Sequence, residues 1–156
     1  MNLAEKQKQI TAQLGALKNG QDRLAFLVDK ARSRPNFAPD LRMEKNLIPG
    51  CLAKLWFVAD FRAGHCFFNC DSDSLIVKAV AGFLCDFYSG HAPPEILAHD
   101  PAFLAPLGIT QHLTPNRRNA LARVWDHIRQ FAAEHPIHRV EPIPNPNHPT
   151  AAVPKP

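Results

Sequence analysis

Between Leu75 and Tyr88 the chain reads LIVKAVAGFLCDFY, a helix-length stretch that is apolar almost all round. A helix with no polar face has to be covered on every side, so the rest of the chain must be arranged as its covering. Just before it lie two strand-like runs. From Leu52 to Phe61 the residues are apolar, aromatic or small without a helical stripe, and His65 to Cys70 alternates, with Ala63-Gly64 between them as a turn. This predicts a hairpin leading into the buried helix. Asp71-Ser72 offers capping oxygens, Asp73 favours the positive helix start, and Ser89-Gly90 stops the helix.

The covering is legible at both ends of the chain. Leu3, Ile10, Leu14 and Leu17 recur near helical spacing, and after Asn19-Gly20 the residues Leu24, Leu27, Val28 and Ala31 form a second amphipathic stripe. Arg34-Pro35 ends that helix, and a polar loop runs to about Lys45. Short turns are expected at Pro94 to His99 and at Pro101 to Leu107, the latter capped by Asp100. The last helix begins with Thr114 as cap and Pro115 at its first position, and Leu121, Val124, Trp125, Ile128, Phe131 and Ala132 give it one apolar face to about Glu134. Trp56 reads as core.

With no alternation of strand and helix, the pattern predicts an α+β fold: a small antiparallel sheet of two to three strands packed against helices on one side. A third strand is expected from Asn46 to Pro49. The domain spans 1–134, and 135–156, with seven of the 15 prolines, reads as a proline-rich disordered tail.

Net charge is +4, with Lys and Arg scattered rather than blocked, which favours an acidic partner surface and gives no sign of nucleic-acid binding. The N-terminal segment lacks an apolar signal core, and no run approaches the ~18 apolar residues of a membrane span. The expectation is a cytoplasmic protein, with no membrane partner.

In a reducing compartment four cysteines mean free thiols, a metal site or catalysis rather than disulfides. Cys85, among Phe83, Leu84 and Phe87, reads as a small buried hydrophobe, and Cys66 and Cys70 share one face of the second strand with Phe68. A zinc site usually matches two close pairs, whereas this C-x3-C stands alone, with Cys51 and histidines as further ligands. Cys51, in IPGCLAKLW, differs. Pro49 and Gly50 shape a turn that brings the next side chain to a loop tip, Lys54 is a nearby cation for lowering the thiol pKa, and Leu47, Ile48, Leu52 and Leu55 are expected to shelter the sulfur.

Three ordered blocks resemble the signatures of the SufE family, the sulfur acceptors of iron-sulfur cluster assembly: NLIPGCLAKLW (46–56), DSDSLIVKAV (71–80) and GITQHLTPNRRNAL (108–121). The similarity runs from about Asp22 to Ala133, leaving out the first helix and the tail. The resemblance implies an α+β fold like that of the U-type (IscU) cluster scaffold. It implies that Cys51 is the catalytic residue, taking persulfide sulfur from a PLP-dependent cysteine desulfurase of the SufS or CsdA type, stimulating that enzyme, and passing sulfur to a SufBCD scaffold. The chain is then a sulfur carrier acting with a desulfurase rather than an independent enzyme; it carries no cofactor of its own, the PLP being the partner's, and is a monomer or homodimer. Gly50, Lys54, Asp71, Asp73, His112 and Arg117 are expected to bind the partner or position the loop, with no metal ligand among them. Two departures stand out: Leu52-Ala53-Lys54-Leu55 replaces the family's polar Gln-Ser-Gln-Val, and Arg118 and Ala120 replace a small polar residue and glycine. The alternatives are a metal or iron-sulfur scaffold using Cys51 with Cys66 or Cys70 and a histidine, and a module that activates a desulfurase without carrying sulfur.

Overall fold

The apolar stretch is a helix, α3 (Leu75–Tyr88), and ten of its 14 residues are buried. It is capped by Ser74, whose hydroxyl accepts from the Val77 amide at 3.3 Å, and not by the Asp71-Ser72 pair that the sequence suggested. Ser72 acts one step earlier, accepting from the Ser74 amide at 3.1 Å. The computed structural model describes residues 1–136, so the expected disordered tail lies outside the described residues from 137 onward.

The hairpin forms as read. Strands β1 (Leu55–Arg62) and β2 (His65–Ser72) pair antiparallel from Leu55 opposite Ser72 to Arg62 opposite His65. Ala63 and Gly64 both take positive φ, 51° and 80°, as a two-residue turn matching the right-handed twist of the strands requires. On the inner face Cys66, Phe68 and Cys70 are buried opposite Phe61, Ala59 and Phe57, and β2 packs on α3. Two expectations need correction. The first strand starts at Leu55 rather than Leu52, because 51–54 belongs to a loop. Asn46 to Pro49 supplies only an isolated bridge between Leu47 and Trp56, with the Ile48 amide donating to the Leu55 carbonyl at 2.8 Å. Pro49 has no amide to continue the ladder and Gly50, at φ +83°, turns the chain away, so among the described residues the sheet has two strands.

Helices close the core. Helices α1 (Leu3–Gly15) and α2 (Gly20–Arg32) start at Asn2 and Asn19, whose side chains accept from the amides of Glu5 and Asp22. The short α4 (Pro93–Leu97) follows α3, and the Pro101–Leu104 turn is capped by Asp100 as expected. Helix α5 (Pro115–Glu134) has Thr114 as cap and buries Ala120, Leu121, Val124, Ile128 and Ala132. It lies against α3, α4 and β1, with Phe131 edge-on to Phe68 at 5.7 Å.

The outer end of the sheet is covered by the loop that follows α2, and one carboxylate fastens it. Asp71, fully buried, accepts from the Phe37 amide at 2.8 Å and from Arg42 at 2.8 and 3.1 Å, and its other oxygen lies 3.3 Å from Nζ of the buried Lys78 on α3. Lys78 also donates to Asn36 at 2.7 Å, and the Arg42 guanidinium stacks 4.7 Å over Trp56, which is core. Burial opposes ionisation of Asp71, but the Phe37 amide, Arg42, the Ser72 amide and Lys78 outweigh it and hold its carboxyl below the usual range. Replacing Asp71 by Asn strands the Lys78 ammonium in the core, and urea unfolding at pH 7 is expected to show a loss of about 3–5 kcal/mol. Because the folded pKa is depressed, this stabilisation is present above the unfolded carboxyl range, about pH 4, and is lost as pH falls through the folded value; the gap between wild type and Asp71→Asn should narrow on acidification below about pH 4.

Candidate functional site

Residues 49–54 form a loop closed at its base by the Leu47–Trp56 bridge and the Ile48–Leu55 hydrogen bond. Pro49 to Ala53 make no backbone hydrogen bond to the rest of the described chain, so the loop is held by side chains reaching in from elsewhere. At its far end the Asp73 carboxylate accepts from the Lys54 amide at 3.1 Å, the Ser72 hydroxyl donates to the Lys54 carbonyl at 2.7 Å, and the Asp73 amide approaches that carbonyl at 3.3 Å. At its near end Asn119 of α5 donates to the Gly50 carbonyl at 3.0 Å. Gly50 sits at φ +83°, and a Cβ there would lie 3.2 Å from the Arg123 guanidinium, so glycine is demanded by the backbone and lets the cation close in.

Cys51 lies between these fastenings, half-buried in a cleft of about 340 Å³ lined by Ala53, Ser74 and Val77, and by Thr114, Arg117 and Ala120 of the α5 start. The expected shelter is different in detail. Leu52 lines the cleft but stays 82% exposed, while Ile48 and Leu55 belong to the core; the rest of the apolar wall is made by Ala53, Val77 and Ala120. The expected cation is different as well. Burial pushes the Cys51 thiol up, and the charge that works against this is Arg123, not Lys54. Burial in the cleft therefore disfavours the thiolate that the sequence suggested.

The other cysteines are closed off. Cys66, Cys70 and Cys85 are fully buried free thiols. Burial pushes Cys66 up to about 11 and raises Cys85 strongly, the latter also through its hydrogen bond with Cys70. Neither Cys66 nor Cys70 lines the Cys51 cleft, and among the described residues no three His, Cys, Asp or Glu side chains gather as metal ligands.

Of the residues singled out from sequence, Gly50, Asp73 and the Lys54 backbone build the loop, and Arg117 lines the cleft. Asp71 does not belong to this surface; it is the buried anchor described above. His112, exposed on the short turn Thr110–His112, is not part of the cleft lining. Sequence reasoning missed Asn119 and Arg123. Their spacing of four marks one face of α5, but nothing local signals that this face meets a loop some seventy positions earlier.

The fold and this cleft define an α+β domain presenting one accessible thiol on a side-chain-tethered loop. The family model described as "SufE: Fe-S metabolism associated domain" matches residues 8–132, and the chain belongs to the SufE family. The match starts inside α1, earlier than the blocks alone suggested. The protein named SufE-like protein 1, chloroplastic/mitochondrial, from Arabidopsis thaliana is 36% identical over 81 residues, 51% of this chain; those residues span only 22% of that relative. The solution structure of a hypothetical protein from Thermus thermophilus superimposes with a TM-score of 0.67 at 23% identity, covering 83% of this chain and 95% of the other, and shares the fold. A role in iron-sulfur metabolism follows from the family. No described helix is long and apolar enough to cross a membrane.

With iodoacetamide under native conditions, mass spectrometry is expected to find one reactive thiol, lost in Cys51→Ser, with the other three labelled only in denaturant. The Cys51 rate should rise with pH to a midpoint above that of free cysteine measured alongside, the direction set by burial.

Proposed function

We propose that the chain is a sulfur acceptor that takes sulfane sulfur from the persulfide of a cysteine desulfurase onto Cys51. The observation that carries this reading is the position of the thiol: alone among the described cysteines it has access to solvent, and it rides on a loop whose tip is held only by a few side-chain bonds. Membership of a family tied to iron-sulfur metabolism supports it.

The step is a thiol exchange. The Cys51 thiolate attacks the outer sulfur of the donor persulfide, the donor's sulfur-sulfur bond breaks, the donor cysteine leaves as a thiolate, and Cys51 keeps the outer sulfur as a persulfide. The PLP that generates the donor persulfide belongs to the desulfurase. An acceptor thiol has to enter another protein's active site, which a loop can do and a strand position cannot. Releasing Asn119 and Asp73 frees the loop, and a sulfur that leaves the cleft for water or a polar donor site loses the burial that keeps it protonated. The exposed Leu52 leads the loop into the donor, replacing a polar contact by an apolar one. Delivery to a SufBCD-type scaffold and action in a reducing, cytoplasmic compartment complete the proposal.

Incubated with a cysteine desulfurase and cysteine, the protein is expected to gain the mass of one sulfur, removable by dithiothreitol and absent in Cys51→Ser. A gain that survives this substitution rules out Cys51 as acceptor. No gain, with desulfurase turnover still stimulated, points to an activator that carries nothing.

A further inference from the structure

Arg123 is exposed on α5, and among the described residues no carboxylate pairs with it, so its charge is available to whatever lies beside it. What lies beside it is Gly50, the residue before the sulfur-bearing one. The guanidinium is 3.2–3.6 Å from the place a Cβ would take, a space that exists because Gly50 has no side chain. One turn earlier on the same face, Asn119 grips the Gly50 carbonyl at 3.0 Å. Asn119 thus holds the near end of the Cys51 loop by a hydrogen bond, and Arg123, one turn on, lies against Gly50 beside it.

The charges around the sulfur sharpen the point. From α5 come Arg117, in the cleft, and Arg123; His127, a turn beyond, turns its Nδ1 to the Arg123 carbonyl at 2.9 Å and its ring to Phe57. From the start of α3 comes Asp73, whose carboxylate is committed to the Lys54 amide, and from the loop itself comes the exposed Lys54. The surroundings are net cationic, and Arg123 is the group whose charge acts on Cys51.

We propose that Arg123 is a positioning residue for the sulfur of Cys51: with Asn119 it clasps Gly50 to α5 and so keeps the loop over its cleft, and it sets a fixed positive charge beside the anionic sulfur. As a device for sulfur transfer this rests on the acceptor reading, while its signature is read on Cys51 with no donor present. A persulfide is more acidic than its parent thiol, so the cation holds the loaded, anionic form more firmly than the empty thiol. The clasp therefore tightens on cargo and relaxes after delivery. The role is specific to a side chain that carries charge at position 123; Asn119 contributes grip alone.

The test separates charge from grip. Thiolate absorbance of Cys51 is titrated, with Cys51→Ser as blank, in wild type, Arg123→Gln and Arg123→Lys, and the iodoacetamide rate is measured at high pH where the thiol is fully ionised. Both Arg123 substitutions disturb the packing on Gly50, but only Gln removes the charge. The expected result is a thiolate fraction at neutral pH roughly threefold lower in Arg123→Gln than in Arg123→Lys, a contrast that shrinks in 1 M salt. At the high-pH plateau Asn119→Ala and Arg123→Gln should label roughly twofold faster or more than wild type, because the loop is less restrained. Coincident titrations for Gln and Lys overturn the electrostatic role, and unchanged plateaus in both Asn119→Ala and Arg123→Gln overturn the clasp. Failure of the wild type to gain sulfur from a desulfurase would remove the acceptor reading and leave the Gln against Lys contrast to be judged by itself.

Discussion

Four consecutive polar side chains, Asp71 to Ser74, fasten together the parts on which this fold depends. Asp71 reaches outward to the post-α2 loop and inward to Lys78 of α3; Ser72 and Asp73 grip the two backbone groups of Lys54; Ser74 starts α3. The end of the sheet, the start of the central helix and the far end of the cysteine loop are thus one hydrogen-bonded joint. The buried Asp71 and Ser72 are both partnered, as buried polar groups must be, while the exposed Asp73 and half-buried Ser74 tie in the loop and the helix. The thiol owes its location to this joint rather than to any rigid strand or helix of its own.

That location carries a physical tension. A cleft that keeps a reactive sulfur from stray thiols also withdraws it from water, and withdrawal raises the energy of the anion needed for attack. Arg123 relieves part of that cost without removing it. In the proposed acceptor role, protection goes with the loop seated in its cleft and reactivity with the loop released, and the few bonds at Gly50 and Lys54 oppose that release.

Much of this architecture is legible in the sequence, for reasons that are local. The apolar run 75–88 can only be a covered helix, Ala63-Gly64 can only turn tightly, and Thr114-Pro115 marks the start of α5 within a residue. The uniqueness of Cys51 among four cysteines is also readable, because the other three sit in apolar periodic settings. What escapes is non-local. Asp71 and Ser72 look like caps because capping and long-range anchoring use the same residue types, and only the fold decides between them. Lys54 looks like the thiol's cation because it is near in sequence, whereas Arg123 is near in space. Leu52 looks like shelter because it is apolar, and it does line the cleft, yet most of its side chain stays exposed, which no hydropathy pattern encodes.

The base of the loop is closed by the backbone bond from Ile48 to Leu55, and Pro49 to Ala53 bond to no other backbone in the described chain. The hexapeptide between those anchors is accordingly a cassette: apart from Gly50 and Cys51, its residues can change while the core keeps its register. Changes in this short insert and in the α5 face that grips it can therefore reshape the surface around the thiol without disturbing the fold.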